Sequence, residues 1–159
     1  MSAMKKPKAK GGNRRYTGFD GEASGEAAAL KALRQQIAAR FPFTHNLGTW
    51  VIRPMRNKTS PSVHGTGRAW DCGWSGNYEK NAVPLANYFV EHADALGIEM
   101  ILDYFVGHGR GWRCDRKAWT VYDKPTISGA PGGQWLHVEI SPSITVAQVL
   151  AHFEAGKQP

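Results

Sequence analysis

Apolar residues recur at helical spacing in the first third of the chain. Within residues 22–40, Leu30, Leu33 and Ile37 lie three or four positions apart among Ala, Lys, Arg and Gln. These residue types favour helix formation, and the spacing places the apolar side chains on one face. The pattern therefore predicts an amphipathic helix over residues 22–40, which Pro42 terminates.

Further along, short apolar runs alternate with segments rich in Gly, Pro and Ser. Runs bounded by such turn residues predict strands at residues 47–53, 68–74, 98–105, 119–122 and 135–140. Helical spacing predicts two more helices, at residues 79–96, with Gly97 as the C-cap, and at 145–154. Loops are expected at residues 54–61, 107–111 and 124–133. The interleaving is irregular, which favours an α+β fold with a small antiparallel or mixed sheet flanked by helices.

The length and composition fit one globular domain with short tails. The chain has 159 residues, of which 42% are hydrophobic and 21% charged. We assign residues 1–21 to a basic flexible arm and residues 22–159 to a single domain, and we expect a monomer. No run of about 18 apolar residues occurs, which excludes a helix that spans a membrane.

Positive charge is in excess, and part of it lies at the start of the chain. The formal net charge is +7 and the pI is about 9.6, and 6 of the 20 Lys and Arg residues fall within residues 1–15. Such a field attracts nucleic acid, anionic membrane or acidic cell-wall polymer. A solubilising tail on a mildly basic domain explains the same excess. The arm contains no recognised nucleic-acid motif, so no specific nucleic-acid partner is expected.

The basic start and the cysteine content bear on location. Residues 1–15 have no apolar segment after their charges, so no standard secretory signal is recognised. We expect the protein in a cytoplasm, or leaving the cell by another route such as lysis. Cys72 and Cys114 form neither a disulfide framework nor a CxxC zinc motif; they pair or remain thiols, and a reducing cytoplasm favours thiols.

The strongest chemical signal lies in residues 62–71, which read SVHGTGRAWD. His64 and Asp71 offer a nitrogen and an oxygen that suit Zn²⁺, and intervening glycines let the backbone turn so that the two approach each other. His137 is the third candidate ligand. On a strand, it shares a face with Trp135 and Glu139. Three protein ligands with an open position are typical of catalytic zinc. The spacing alone is not specific, because a lone His–Asp pair is usually a hydrogen-bonded pair or two unrelated surface residues.

The pattern Ser-x-His-x-x-Gly-x-Ala-x-Asp, followed much later by a strand with Trp close to His, resembles the LAS and M15 metallopeptidases. The match is complete at Ser62, His64, Gly67, Ala69 and Asp71. The resemblance covers roughly residues 53–140. It implies one zinc ion on His64, Asp71 and His137, a small α+β fold around an antiparallel sheet, and peptidoglycan peptide stems as the substrate.

One position departs from that family. The family commonly has Glu, the general base, three residues before the last His ligand, and Trp directly before that His. Here Gln134 occupies the Glu position, and Trp135 lies two residues before His137. Three explanations stay open. Another carboxylate acts as the general base, with Glu139 nearest and Asp103 and Asp123 as further candidates. Alternatively, zinc alone lowers the pKa of its bound water to about 7. In the third explanation, efficient hydrolysis has been lost. A paired structural carboxylate is the alternative reading of Glu139.

Further candidates are assigned by chemistry and by resemblance. Arg56 is expected to steady an oxyanion or bind a substrate carboxylate, and Arg53 is its rival. Ser62 and Trp135 are candidate substrate-binding residues, although Ser62 also suits a turn and Trp135 a core.

Three functions follow from these residues. The first is a zinc peptidase that cuts peptidoglycan stems, such as a phage endolysin or wall-cutting module that stays in the host cytoplasm until lysis. The second is a weak or inactive relative that binds cell wall or serves as a virion part. The third is nucleic-acid binding through the basic arm.

Overall fold

Six strands of the described residues form one antiparallel sheet. The computed structural model describes residues 14–55, 58–116, 118–125 and 131–155. The strands are β1 Thr44–Asn46, β2 Ala69–Trp74, β3 Ile98–Asp103, β4 Arg110–Arg113, β5 Thr120–Val121 and β6 Trp135–Ile140. The helices are α1 Ala28–Arg40, α2 Val83–Glu91, α3 Ala93–Leu96 and α4 Val146–Glu154. The strand order is β1-β2-β6-β3-β4-β5, which confirms the predicted α+β class.

Strand β6 lies between β2 and β3 and fixes the register at the centre of the sheet. Asp71 on β2 is directly opposite His137 on β6, and Leu102 on β3 is opposite His137 on the other side. Because side chains alternate along each strand, residues paired in this way point to the same face. The sheet thus places two predicted metal ligands side by side.

The two faces of the sheet have different environments. Leu136, Val138 and Ile140 of β6 belong to the hydrophobic core, together with the apolar stripe of α1. In β2, Trp70 lies in the same core, where its ring meets Phe89 of α2 edge-on at 6.4 Å between centroids. The alternate positions of these strands, including Asp71 and His137, line a cleft instead. The helices therefore pack against one face of the sheet, and the polar residues that line the cleft lie on the other face.

The predicted strand at residues 47–53 was wrong. The strand is β1, which ends at Asn46, and the chain then leaves the sheet through Gly48, whose φ is +134°. Leu47, Trp50 and Ile52 are exposed, so the apolar run that suggested a strand does not enter the core. Apolar character alone did not distinguish an exposed segment from a buried strand.

Other boundaries differ in detail. Helix α1 begins at Ala28 rather than at residue 22, and the predicted helix at 79–96 is a wide turn, Tyr78–Ala82, followed by α2 and α3. Gly97 ends α3 with φ +66°, as predicted. Strand β4 falls partly on the predicted loop at residues 107–111, because pairing with β3 overrides the weak strand preference of its Gly and Arg residues.

Residues 14–20, which the sequence assigned to the arm, lie against the domain. Arg14 forms an ion pair with Asp94 at 2.8 Å, and the Thr17 backbone N–H donates to Glu99 at 2.9 Å. Among the residues that the structure describes, no helix is long and apolar enough to cross a membrane. Cys72 and Cys114 are both buried free thiols.

Candidate metal centre

The first ligand candidate lies in a tight turn that leads into β2. His64 belongs to a 3-10 turn, Val63–Thr66, whose first N–H groups need a cap; the His64 N–H donates to Ser62 Oγ at 3.3 Å. Gly67 ends the turn with φ +73°. A Cβ at this position would lie 2.2 Å from the Gly25 carbonyl oxygen, so only glycine fits. Strand β2 begins soon after this turn, and its Asp71 therefore lies close to His64.

The fold brings the three predicted ligands together. Asp71 Oδ1 lies 3.3 Å from His64 Nε2 and 3.3 Å from His137 Nδ1. The two imidazole rings are 5.1 Å apart and nearly perpendicular. One ligand atom from each residue lies within 4.8 Å of the others. Among the described residues, this is the one group of three or more His, Cys, Asp or Glu side chains that close.

The spacing of these atoms fits a small tetrahedral ion. With zinc–ligand bonds of about 2.0–2.1 Å, neighbouring ligands of a tetrahedron lie about 3.3–3.4 Å apart. The two distances to Asp71 Oδ1, both 3.3 Å, match this separation. Two imidazole nitrogens and one carboxylate oxygen also form a donor set that zinc prefers. The residues present therefore fit a zinc ion with one position left for another ligand.

Electrostatics of the cluster favour a cation between its members. Burial on its own raises the pKa of Asp71, but hydrogen bonds with His137 and His64 outweigh it and lower that pKa well below its ordinary value. Burial lowers the pKa of His137, yet contacts with Asp71 and Glu139 prevail and raise it to about 10. Without metal, a proton on His137 therefore supplies the positive charge between two carboxylates.

Glu139 uses both of its carboxylate oxygens within the protein. Its Oε2 lies 2.7 Å from His137 Nε2, and its Oε1 accepts a hydrogen bond from the Tyr16 hydroxyl at 2.6 Å. Glu139 is 3% exposed. This arrangement leaves His137 Nδ1 facing Asp71 and His64, which is the orientation that a metal ligand needs.

A cleft of about 430 Å³ opens over the cluster. Ser62 and Trp135, the predicted substrate-binding residues, both line it, and so does Arg53. The Trp135 ring packs so closely on Gly133 that a Cβ there would lie 2.3 Å from the ring. Arg56, the predicted oxyanion or carboxylate contact, lies outside the described residues.

The remaining carboxyl and amide candidates lie elsewhere. Gln134 is exposed and precedes β6, and it is not among the described residues that line the cleft. Asp103 is 1% exposed and accepts a hydrogen bond from the Tyr78 hydroxyl at 2.6 Å. Asp123 is exposed, also apart from the described cleft lining. The catalytic assignments of Glu139, Gln134 and Arg56 stay predictions.

Sequence reasoning missed several residues of this site. Tyr16 lies in the segment assigned to the arm, and Met100, Leu102 and Tyr104 come from β3 and the residue that follows it. The alternation of β3 was the available signal, because every second residue of a strand beside β6 must share the face of His137. No local pattern indicates Tyr16.

Fold and site together define an α+β domain with a candidate three-ligand metal centre. Residues 22–122 match the family described as VldE, C-terminal domain, and this match covers more than half of the chain. The chain belongs to that family. The matched region includes His64 and Asp71 and ends before β6, which carries His137. No curated protein and no solved structure matches the chain.

Proposed function

We propose that this protein is a zinc-dependent peptidase that hydrolyses peptide stems of bacterial peptidoglycan. The observation that carries the proposal is the pair of 3.3 Å separations that place Asp71 Oδ1 between His64 and His137, within a cleft. The resemblance of residues 62–71 to the LAS and M15 metallopeptidases supplies the substrate class. When bound, zinc polarises a carbonyl group and activates water.

The chain's own residues supply ligands and a binding surface. His64, Asp71 and His137 hold the ion, and the low pKa of Asp71 keeps its carboxylate charged at neutral pH. Met100, Leu102 and Trp135 offer apolar contacts for a peptide stem. Arg53 lines the same cleft. In this proposal Arg53 pairs with a substrate carboxylate or with the oxyanion that develops during hydrolysis.

The net charge fits an anionic cell wall as the place of action. A charge of +7 concentrates the protein on acidic wall polymers, an attraction that weakens as salt rises. We propose a phage endolysin or wall-cutting module that is in the host cytoplasm before lysis and acts on the cell wall as a monomer. A virion-associated location is the alternative.

The proton acceptor is proposed to be Glu139, but its contacts give it a second role. Glu139 must exchange its hydrogen bond with Tyr16 or His137 before it accepts a proton from water. The variant Glu139→Gln separates the two roles when zinc occupancy is restored with excess zinc. If peptide release by this variant stays near zero, Glu139 acts as the general base. If release returns with excess zinc, Glu139 only orients His137.

Metal content and peptide release together test the proposal. We expect purified wild type to hold one zinc ion per chain and to release new amino termini from purified peptidoglycan. His64→Ala and His137→Ala should lose both properties. His108→Ala is the matched control, because His108 is an exposed loop histidine outside the described cleft lining. Equal zinc content in wild type and His64→Ala would refute the metal centre.

A second candidate function is a wall-binding protein that keeps the metal and does not cut. Two observations favour it: Gln134 replaces the usual Glu, and Glu139 is engaged on both oxygens. The same assay distinguishes the two functions. Zinc-loaded wild type that sediments with peptidoglycan and releases no amino termini supports the binder.

A further inference from the structure

A hydrogen-bonded chain of side chains extends from the metal cluster to the N-terminal segment. His137 Nε2 contacts Glu139 Oε2 at 2.7 Å, and the other oxygen of Glu139 accepts from the Tyr16 hydroxyl at 2.6 Å. Tyr16 lines the cleft, and the Arg113 guanidinium lies over its ring at 4.2 Å from the centroid. Tyr16 thus contacts the carboxylate that orients a ligand, and it comes from a segment distant in sequence.

The segment that carries Tyr16 is attached to the domain on both sides of this residue. Before it, Arg14 pairs with Asp94 at 2.8 Å, and its backbone N–H donates to the Cys114 carbonyl at 3.2 Å. After it, the Thr17 hydroxyl donates to Glu99 at 3.0 Å.

Arg68 holds the following residues. Arg68 is 5% exposed, and its guanidinium donates to the Gly18 carbonyl at 2.6 Å and to Asp20 Oδ1 at 2.8 Å. The same side chain donates to the carbonyl of Ile140, the last residue of β6. The strand that carries His137 and the segment that carries Tyr16 are therefore joined by one buried cation.

We propose that Tyr16 is a positioning residue of the metal centre: through Glu139 it fixes the ring orientation of His137 and so strengthens metal binding. Residues 14–20 then form part of the metal centre rather than an appended arm. The proposal rests on the proposed zinc site. Groups that orient a metal ligand directly, as Glu139 does for His137, commonly change metal affinity by about 10- to 100-fold when they are removed. Tyr16 acts through Glu139, so its effect should lie at the lower end of this range.

The chain provides a matched control for a purely structural contribution. The Tyr78 hydroxyl donates to the buried carboxylate of Asp103 at 2.6 Å, the same kind of bond at the same length as that between Tyr16 and Glu139. Neither Tyr78 nor Asp103 is among the described residues that line the cleft. Tyr16→Phe and Tyr78→Phe each remove one hydroxyl and keep the ring, so both should lower thermal stability to a similar extent.

The experiment measures zinc affinity of the full chain by competition with a chromophoric chelator, and the visible spectrum of the Co²⁺-substituted protein. We expect Tyr16→Phe to bind zinc about tenfold more weakly than wild type, at the lower end of the range for a direct partner of a ligand, and to change the Co²⁺ ligand-field bands. Tyr78→Phe should match wild type in both. Zinc affinity within threefold of wild type in Tyr16→Phe, with an unchanged Co²⁺ spectrum, would overturn the proposal.

A double-mutant cycle tests whether Tyr16 acts through Glu139. In a Glu139→Gln background, the additional change Tyr16→Phe should alter zinc affinity by less than about threefold, because the two residues act as a unit. A full effect in that background would refute the route through Glu139. If wild type binds no zinc at all, the metal centre itself fails, and this result is distinct from wild type and Tyr16→Phe binding zinc equally well.

Discussion

Zinc binding should depend steeply on pH, because the metal must displace a proton from His137. In the metal-free protein, Asp71 and Glu139 hold the pKa of His137 at about 10, so at pH 7 about 1 molecule in 1,000 has the neutral imidazole that a metal requires. Because Nε2 lies 2.7 Å from a Glu139 oxygen and Nδ1 lies 3.3 Å from Asp71 Oδ1, we expect the metal to replace the proton on Nδ1. Asp71 adds nothing to this dependence near neutrality, because its lowered pKa keeps it ionised.

The magnitude follows from the same pKa. Three units between pH 7 and a pKa of about 10 correspond to a proton-competition cost of about 4 kcal/mol at pH 7. The apparent zinc affinity should therefore increase about tenfold with each unit by which the pH is raised, up to about pH 10. From pH 6.5 to 8.5 this amounts to about 100-fold. The sign is fixed, because a group with a raised pKa holds its proton against the metal until the pH approaches that pKa.

Isothermal titration calorimetry in buffers of different ionisation enthalpy measures the protons released per zinc ion. We expect His137 to contribute about one proton at pH 7.5, and His108→Ala to give the wild-type value. After correction for buffer–zinc binding, an affinity that does not change between pH 6.5 and 8.5 would refute the argument. It would mean that His137 is already neutral in the metal-free protein, and that the contacts with Asp71 and Glu139 do not retain a proton.

Three further predictions concern the fold that holds the site. Gly67→Ala should lower the free energy of unfolding by at least about 2 kcal/mol in urea titrations, because φ is +73° and the new Cβ would meet the Gly25 carbonyl at 2.2 Å; an unchanged midpoint would contradict this. Leu136→Ala, in the core face of β6, should cost about 2–5 kcal/mol by the same measurement and keep one zinc ion per chain, whereas lost zinc in the folded variant would show that the two faces of β6 are not independent. With a chelator present, the contribution of His137 to thermal stability should be complete below its unfolded pKa of about 6.5 and lost as pH rises towards 10; a melting temperature that increases over that range would be inconsistent with the raised pKa.

The sequence predicted the three residues that cluster but not their surroundings. His64 and Asp71 share a short motif, and His137 lies on a predicted strand, but this spacing alone is not specific. The resemblance to the LAS and M15 metallopeptidases is what selected these three residues. Their convergence depends on β2 pairing with β6, which places Asp71 opposite His137. That pairing joins residues far apart in the chain, and no local pattern specifies it.

The errors have the same physical origin. Trp50 and its neighbours have the composition of a strand, yet Gly48 directs them away from the sheet. Tyr16 follows a basic, polar stretch that resembles an arm, and its hydrogen bond to Glu139 depends on how distant strands are placed. Arg110 and Gly111 belong to a strand because their backbone pairs with that of β3. This tertiary pairing outweighs the weak strand preference of the two residues.

The residues of the candidate metal centre are held with different firmness by the fold. His137 is on a strand that is hydrogen-bonded to neighbours on both edges, whereas His64 sits in a four-residue turn outside the sheet. Amide protons of the central strand should exchange only on global unfolding, and those of the turn through local opening. Of the three residues proposed to hold zinc, His64 should therefore separate most easily, while Asp71 and His137 stay aligned on the paired strands.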